Sequence, residues 1–173
     1  MRLHSHFALV AAGVLALAAL AVPQAGVAAE PGSREAIDQA AAVNTELALA
    51  YMREGNLKAA REKIDKALQQ DARTANTQMA AGFVYDKLGD KKKALSHFEQ
   101  AVKLGGKDNP DVVANAAVYF CMNGEPKRGE QYMLQAAASP LNARPDVPYT
   151  NAGRCARGDG RPKDAEQSFR KAL

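Results

Sequence analysis

The chain has 173 residues, with 23 Lys and Arg against 19 Asp and Glu and a formal charge of +4. So mild a balance argues against nucleic acid as a partner, and the length allows one domain of ordinary size once any export segment is set aside. Ala, Leu, Glu, Gln, Lys and Arg dominate residues 34–104 while β-branched residues are sparse, so the expected class is all-α.

The first element is a targeting signal. Arg2 supplies a positive start, Phe7 to Val22 form an apolar run, and Val27-Ala28-Ala29 offers the small residues that a signal peptidase reads. Residues 1–29 are therefore expected to be a cleavable signal peptide, cut after Ala29. The alternative, a retained anchor, needs roughly 20 uninterrupted apolar residues, more than this run provides. Removal takes away Arg2 and no acid, lowering the charge from +4 to +3. Residues 30–40 read as a lead-in.

From there the chain repeats itself. Leu47-Ala48, Tyr51, Gly55, Ala60, Ile64 and Ala67-Leu68 recur 34 residues later as Ala81-Gly82, Tyr85, Gly89, Ala94, Phe98 and Ala101-Val102. A third copy holds Ala116-Ala117, Phe120, Gly124, Gly129, Met133 and Ala136, displaced by 35 because Gly105-Gly106 lengthens the connection. The fourth is displaced by 36 and holds Ala152-Gly153, Gly160, Ala165, Phe169 and Ala172-Leu173, with Ala156 in the aromatic place. A period of 34 is that of tetratricopeptide repeats, which places repeats at about 41–74, 75–109, 110–145 and 146–173.

The physics behind the pattern is a helical hairpin. Small residues let two helices approach, bulky ones fill the seam, and Gly55, Gly89, Gly124 and Gly160 make the turns. Stacked hairpins form a solenoid, a right-handed superhelix whose concave groove is lined by the first helix of each pair. Gly129 stands where the other copies have Ala, at a cost of roughly 1 kcal/mol in a helix, so the third repeat is expected to be the weakest. Such arrays normally close on a polar capping helix, so a continuation past Leu173 or a capping partner is expected.

Catalytic chemistry finds little to use. His4 and His6 fall in the export segment, leaving His97 on a Lys- and Glu-flanked helix where a solvated role is expected. Lys91-Lys92-Lys93 reads as the solvated start of a helix. There is no CxxC, no Gly-rich phosphate loop and no spacing of metal ligands, so no enzyme, metal or cofactor is expected.

Cys121 and Cys155, the only cysteines, are 34 residues apart on first helices of consecutive repeats. Two arrangements fit: a disulfide formed in an oxidising compartment, or two buried free thiols filling small holes.

The later repeats are also more specific. Asn115 through Phe120-Cys121 and Gly124, then Pro140-Leu141, Pro148-Tyr149 and Asn151-Ala152-Gly153-x-Cys155-Ala156, and finally Ala165-Glu166-x-x-Phe169-Arg170-Lys171-Ala172-Leu173, resemble the type IV pilus biogenesis and stability (PilW/PilF) family. The likeness covers about residues 44–173. It implies a periplasmic, non-catalytic scaffold that assists assembly or localisation of the outer-membrane pilus secretin, supporting pilus formation and twitching motility, with its two Cys paired. Family members usually carry a lipidated Cys after the signal and about six repeats. Here no Cys lies near residues 18–30 and four repeats are present, so membrane association is expected only through a partner. A general periplasmic repeat adaptor in envelope or polysaccharide assembly is the alternative.

The repeat register also names the groove. Its expected lining is Thr45, Leu49, Met52 and Arg53, then Met79, Phe83 and Asp86, then Ala114, Val118 and Met122, then Thr150, Arg154 and Arg157. Leu49, Met52, Met79, Phe83, Val118 and Met122 form an adaptable apolar strip suited to an amphipathic helix or extended peptide. Packing against the neighbouring repeat is the alternative for each. Paired Lys and Asn that would grip a C-terminal carboxylate are missing from the set.

Overall fold

A computed structural model describes residues 32–173; the export segment and its expected cleavage after Ala29 lie outside the described residues. The described residues form helices and no strands: α1 Arg34–Arg53, α2 Leu57–Gln70, α3 Ala75–Lys87, α4 Lys91–Gly105, α5 Pro110–Met122, α6 Pro126–Ala137, α7 Asp146–Gly158 and α8 Pro162–Lys171. Starts are set locally. Ser33, Asn56, Asp90 and Asn109 each accept a backbone N–H of the first turn, and Pro110, Pro126 and Pro162 open helices where no donor is needed.

Consecutive helices pair as α1/α2, α3/α4, α5/α6 and α7/α8, and α3, α5 and α7 each pack on both helices of the pair before them. The four turns are copies of one another. Gly55, Gly89, Gly124 and Gly160 take φ between 72° and 91°, which side chains disfavour. The residue after each, Asn56, Asp90, Glu125 or Arg161, donates its N–H 2.9 Å to the carbonyl of Tyr51, Tyr85, Phe120 or Ala156. That backbone bond over the glycine satisfies a carbonyl the helix end would leave orphaned. Ala156 keeps the turn although it lacks the aromatic, because the bond uses only its backbone.

Inside each hairpin, sizes are matched across the seam. Ala48 and Ala117 on first helices accompany Ile64 and Met133 on second helices, while Gly82 and Gly153 accompany Phe98 and Phe169. A Cβ on Gly82 would stand 2.8 Å from the Phe98 ring, and one on Gly153 would stand 2.5 Å from Phe169. The larger ring thus takes the space the missing methyl leaves. Gly129 has a packing role that helix propensity does not describe. A Cβ there would stand 2.7 Å from the Ala117 carbonyl oxygen, so α5 and α6 approach too closely for Ala.

The core runs from α1 to α6 and continues around Met133, Ala152 and Cys155. Phe98 is its hub, with Tyr119 of the next repeat stacked at 4.3 Å and Phe83 edge-on at 5.1 Å. Polar latches close each seam between repeats. Tyr85 donates to Asp65 at 2.5 Å, Arg128 bridges Glu99 and Glu125 at 2.9 Å each, and Arg161 joins Glu130, Asp159 and Asp164. Burial and that bond raise the Tyr85 hydroxyl to about 12. Register explains one departure from the pattern: Leu47 is 37% exposed, whereas its counterparts Ala81, Ala116 and Ala152 are buried by the hairpin before them.

Candidate protein-binding groove

The first helices α1, α3, α5 and α7 carry every residue expected to line the groove, and the fold sorts them into three groups. Leu49, Met52, Met79 and Phe83 are half-buried and lie against the main core. Phe83 in particular rests edge-on against Phe98. Val118 is half-buried against the Met133 cluster, and Ala114 is buried. Met122, by contrast, is 78% exposed. Of the charged residues, Asp86 accepts a 2.5 Å bond from Lys91, whereas Arg53, Arg154 and Arg157 are exposed.

Thr45, Leu49 and Met79 come together in a cleft of about 370 Å³ between α1 and α3. Its floor holds a hydroxyl pair. Thr45 donates to the Ala41 carbonyl at 2.8 Å, which leaves Thr77 to donate to Thr45 across 3.1 Å. Asp38, Glu46 and Asn76 line the same cleft, a polar end that the groove positions alone did not include. Asn76 was recoverable, since it sits 34 residues after the lining Ala42. Arg154 and Arg157 belong to two other clefts, Arg154 beside Cys121 and Cys155, Arg157 beside Phe169.

Cys121 and Cys155 form a disulfide, with their Cα atoms 5.8 Å apart, and no free cysteine remains. It ties α5 to α7, so the two first helices of the later repeats are held in fixed relation at the groove end.

His97 is where the sequence expectation of a solvated side chain fails. It is half-buried, stacked on Tyr85 at 5.3 Å, with Nδ1 2.7 Å from the Gln78 Oε1. Burial, then the Lys93 charge, hold its imidazole below the ordinary range. These are packing contacts that join α4 to α3. Among the described residues no group of three His, Cys, Asp or Glu is placed to hold a metal ion, and no helix is long and apolar enough to cross a membrane.

A tetratricopeptide-repeat family profile matches residues 39–105, from within α1 to the end of α4. Solved structures extend the likeness to the later hairpins. PilW, described as a widely conserved type IV pilus biogenesis factor, is similar with a TM-score of 0.68 and 26% identity over 78% of this chain. The chain folds as a tetratricopeptide-repeat solenoid. The solenoid is also similar to Pseudomonas aeruginosa PilF, with a TM-score of 0.70 and 23% identity over 79% of this chain, a likeness of fold alone. An uncharacterized Haemophilus influenzae protein is 32% identical over 101 residues, 58% of this chain. The solenoid spans 61% of the length of each pilus protein and 56% of the Haemophilus relative.

Proposed function

We propose that this repeat protein is a periplasmic scaffold for type IV pilus biogenesis that binds secretin subunits through its concave face and assists their assembly or localisation. The observation that carries the reading is the likeness to PilW at 26% identity over 78% of this chain. The apolar groove positions, the Cys-bearing segments of repeats three and four, and the export segment in the sequence support it. Repeat solenoids of this kind work by presenting an extended concave surface to a protein partner.

Deleting the gene and probing for heat-resistant secretin multimers and surface pili tests the proposal. Fewer multimers and fewer pili are expected; unchanged levels of both would sink it. Met122→Asp is the better surface probe than a change at Phe83, because Met122 is 78% exposed while Phe83 packs on Phe98. Coverage of only 61% of the PilW chain favours keeping a second reading, a general periplasmic adaptor. Capture with the exported domain separates the two, since a partner set without pilus components supports the adaptor.

A further inference from the structure

The arginines of this chain are not distributed evenly between paired and unpaired states. Arg34, Arg61, Arg73, Arg128, Arg144, Arg161 and Arg170 each hold a carboxylate within 3.6 Å. Among the described residues Arg53, Arg154 and Arg157 appear in no ion pair and no side-chain hydrogen bond, and all three occupy groove positions of first helices. Two of them stand one helical turn apart on α7. The acids that share their clefts are already engaged: Asp159, which lines the cleft of Arg154, is held by Arg161 at 2.8 Å, and Glu166, which lines the cleft of Arg157, is held by Arg170 at 2.7 Å. Arg157 has the Phe169 ring at 5.8 Å, a contact that leaves its donors free. The disulfide fixes this pair relative to α5, where the exposed Met122 follows Cys121 directly.

We infer that Arg154 and Arg157 form an acidic-segment reader: the partner lays apolar side chains along the groove strip and sets Asp or Glu side chains against this pair at the repeat-four end. The inference rests on the scaffold reading above and adds the partner's chemistry to it. Guanidinium groups suit this task because they present paired donors to a carboxylate and shed water readily. An apolar strip alone binds any amphipathic segment; two uncompensated positive charges at one end select for acid there and against base.

The test uses the exported protein with its disulfide intact and synthetic peptides of about 12 residues that share one Leu/Met/Phe pattern. All carry amidated C termini, so a terminal carboxylate cannot supply the charge, and they differ only in an end pair of Glu, Gln or Lys. Fluorescence anisotropy should find the Glu peptide bound about tenfold more tightly than the Gln peptide, with the advantage shrinking as salt is added. In R154E/R157E the preference should reverse toward the Lys peptide, with the Gln peptide unchanged. Equal binding of Glu and Gln peptides, or a preference that persists in the variant, overturns the charge inference and leaves the groove standing. No binding of any peptide by the unaltered protein overturns the groove reading as well. Thermal unfolding of R154Q/R157Q, expected to match the parent, guards against a folding defect.

Discussion

Gly129 of α6 and Cys121 of α5 lie backbone to backbone: a Cβ on Gly129 would stand 2.8 Å from the Cys121 amide nitrogen and 3.1 Å from its Cβ. One residue therefore sets the helix spacing at the place where the disulfide leaves α5.

Gly129→Ala is the first prediction that follows. Helix propensity alone favours Ala by about 1 kcal/mol. The added methyl meets backbone atoms, which cannot swing aside as a side-chain end could, and overpacking of this kind costs about 1 to 3 kcal/mol. The variant is expected to unfold at lower denaturant than the parent. An increase in stability would show that α5 and α6 separate freely.

The size matching across the seams predicts coupling. Gly82→Ala alone should destabilise, since its methyl meets the Phe98 ring at 2.8 Å. Phe98→Ile alone should also destabilise, because it removes the Tyr119 stack and the Phe83 edge contact. Together they rebuild the Ala48 and Ile64 pairing of the first repeat. A double-mutant cycle is expected to show about 1 kcal/mol or more of favourable coupling, and simple additivity of the two losses would refute the matching.

These features mark how far the sequence could be read. The hairpins, the turn glycines and the small contact residues were legible because each is a backbone requirement repeated at 34 to 36 residues. The exchange of Ala with Ile or Met for Gly with Phe was present in the same columns, but residue classes hide it; only volumes reveal it. The packing role of Gly129 was hidden because propensity describes an isolated helix, whereas the approach of α5 decides what fits. The groove register named first-helix positions, yet Phe83 is large enough to reach Phe98 and is half spent on the core. The latches of Arg128 and Arg161 depend on where long flexible side chains settle, which spacing does not encode. His97 was misjudged for a related reason: its sequence neighbours are charged, but its spatial neighbours are Tyr85 and Gln78.

The disulfide carries a stability prediction. Closing a loop of 34 residues between Cys121 and Cys155 restricts the unfolded chain by about 3 to 4 kcal/mol on the entropy model. Guanidinium unfolding with and without reductant should differ by that order, and C121A/C155A should match the reduced parent. Thiol labelling of the exported protein should find no free thiol. Two labelled thiols, or a midpoint indifferent to reductant, would contradict the bridge.

His97 predicts a dependence on acidity with a definite sign. Burial is the largest influence on its imidazole, the Lys93 charge adds to it, and Asp65 and Asp90 oppose it more weakly; the net effect lowers the pKa below the ordinary 6.5. The unfolded chain therefore binds a proton at acidities where the fold still resists one. The contribution is whole above the ordinary histidine range and is lost as pH falls through that range toward the lowered value. Glutamine at 97 can still reach Gln78 but carries no titrating ring, and His4 and His6 lie within residues 1–29, which are expected to be removed as a signal peptide. Between about pH 8 and about pH 5 the exported parent should lose more stability than His97→Gln, measured as the shift in denaturant midpoint. Equal losses in the two proteins would mean that the ring is as accessible to protons in the fold as in the unfolded chain, contrary to its stacking on Tyr85.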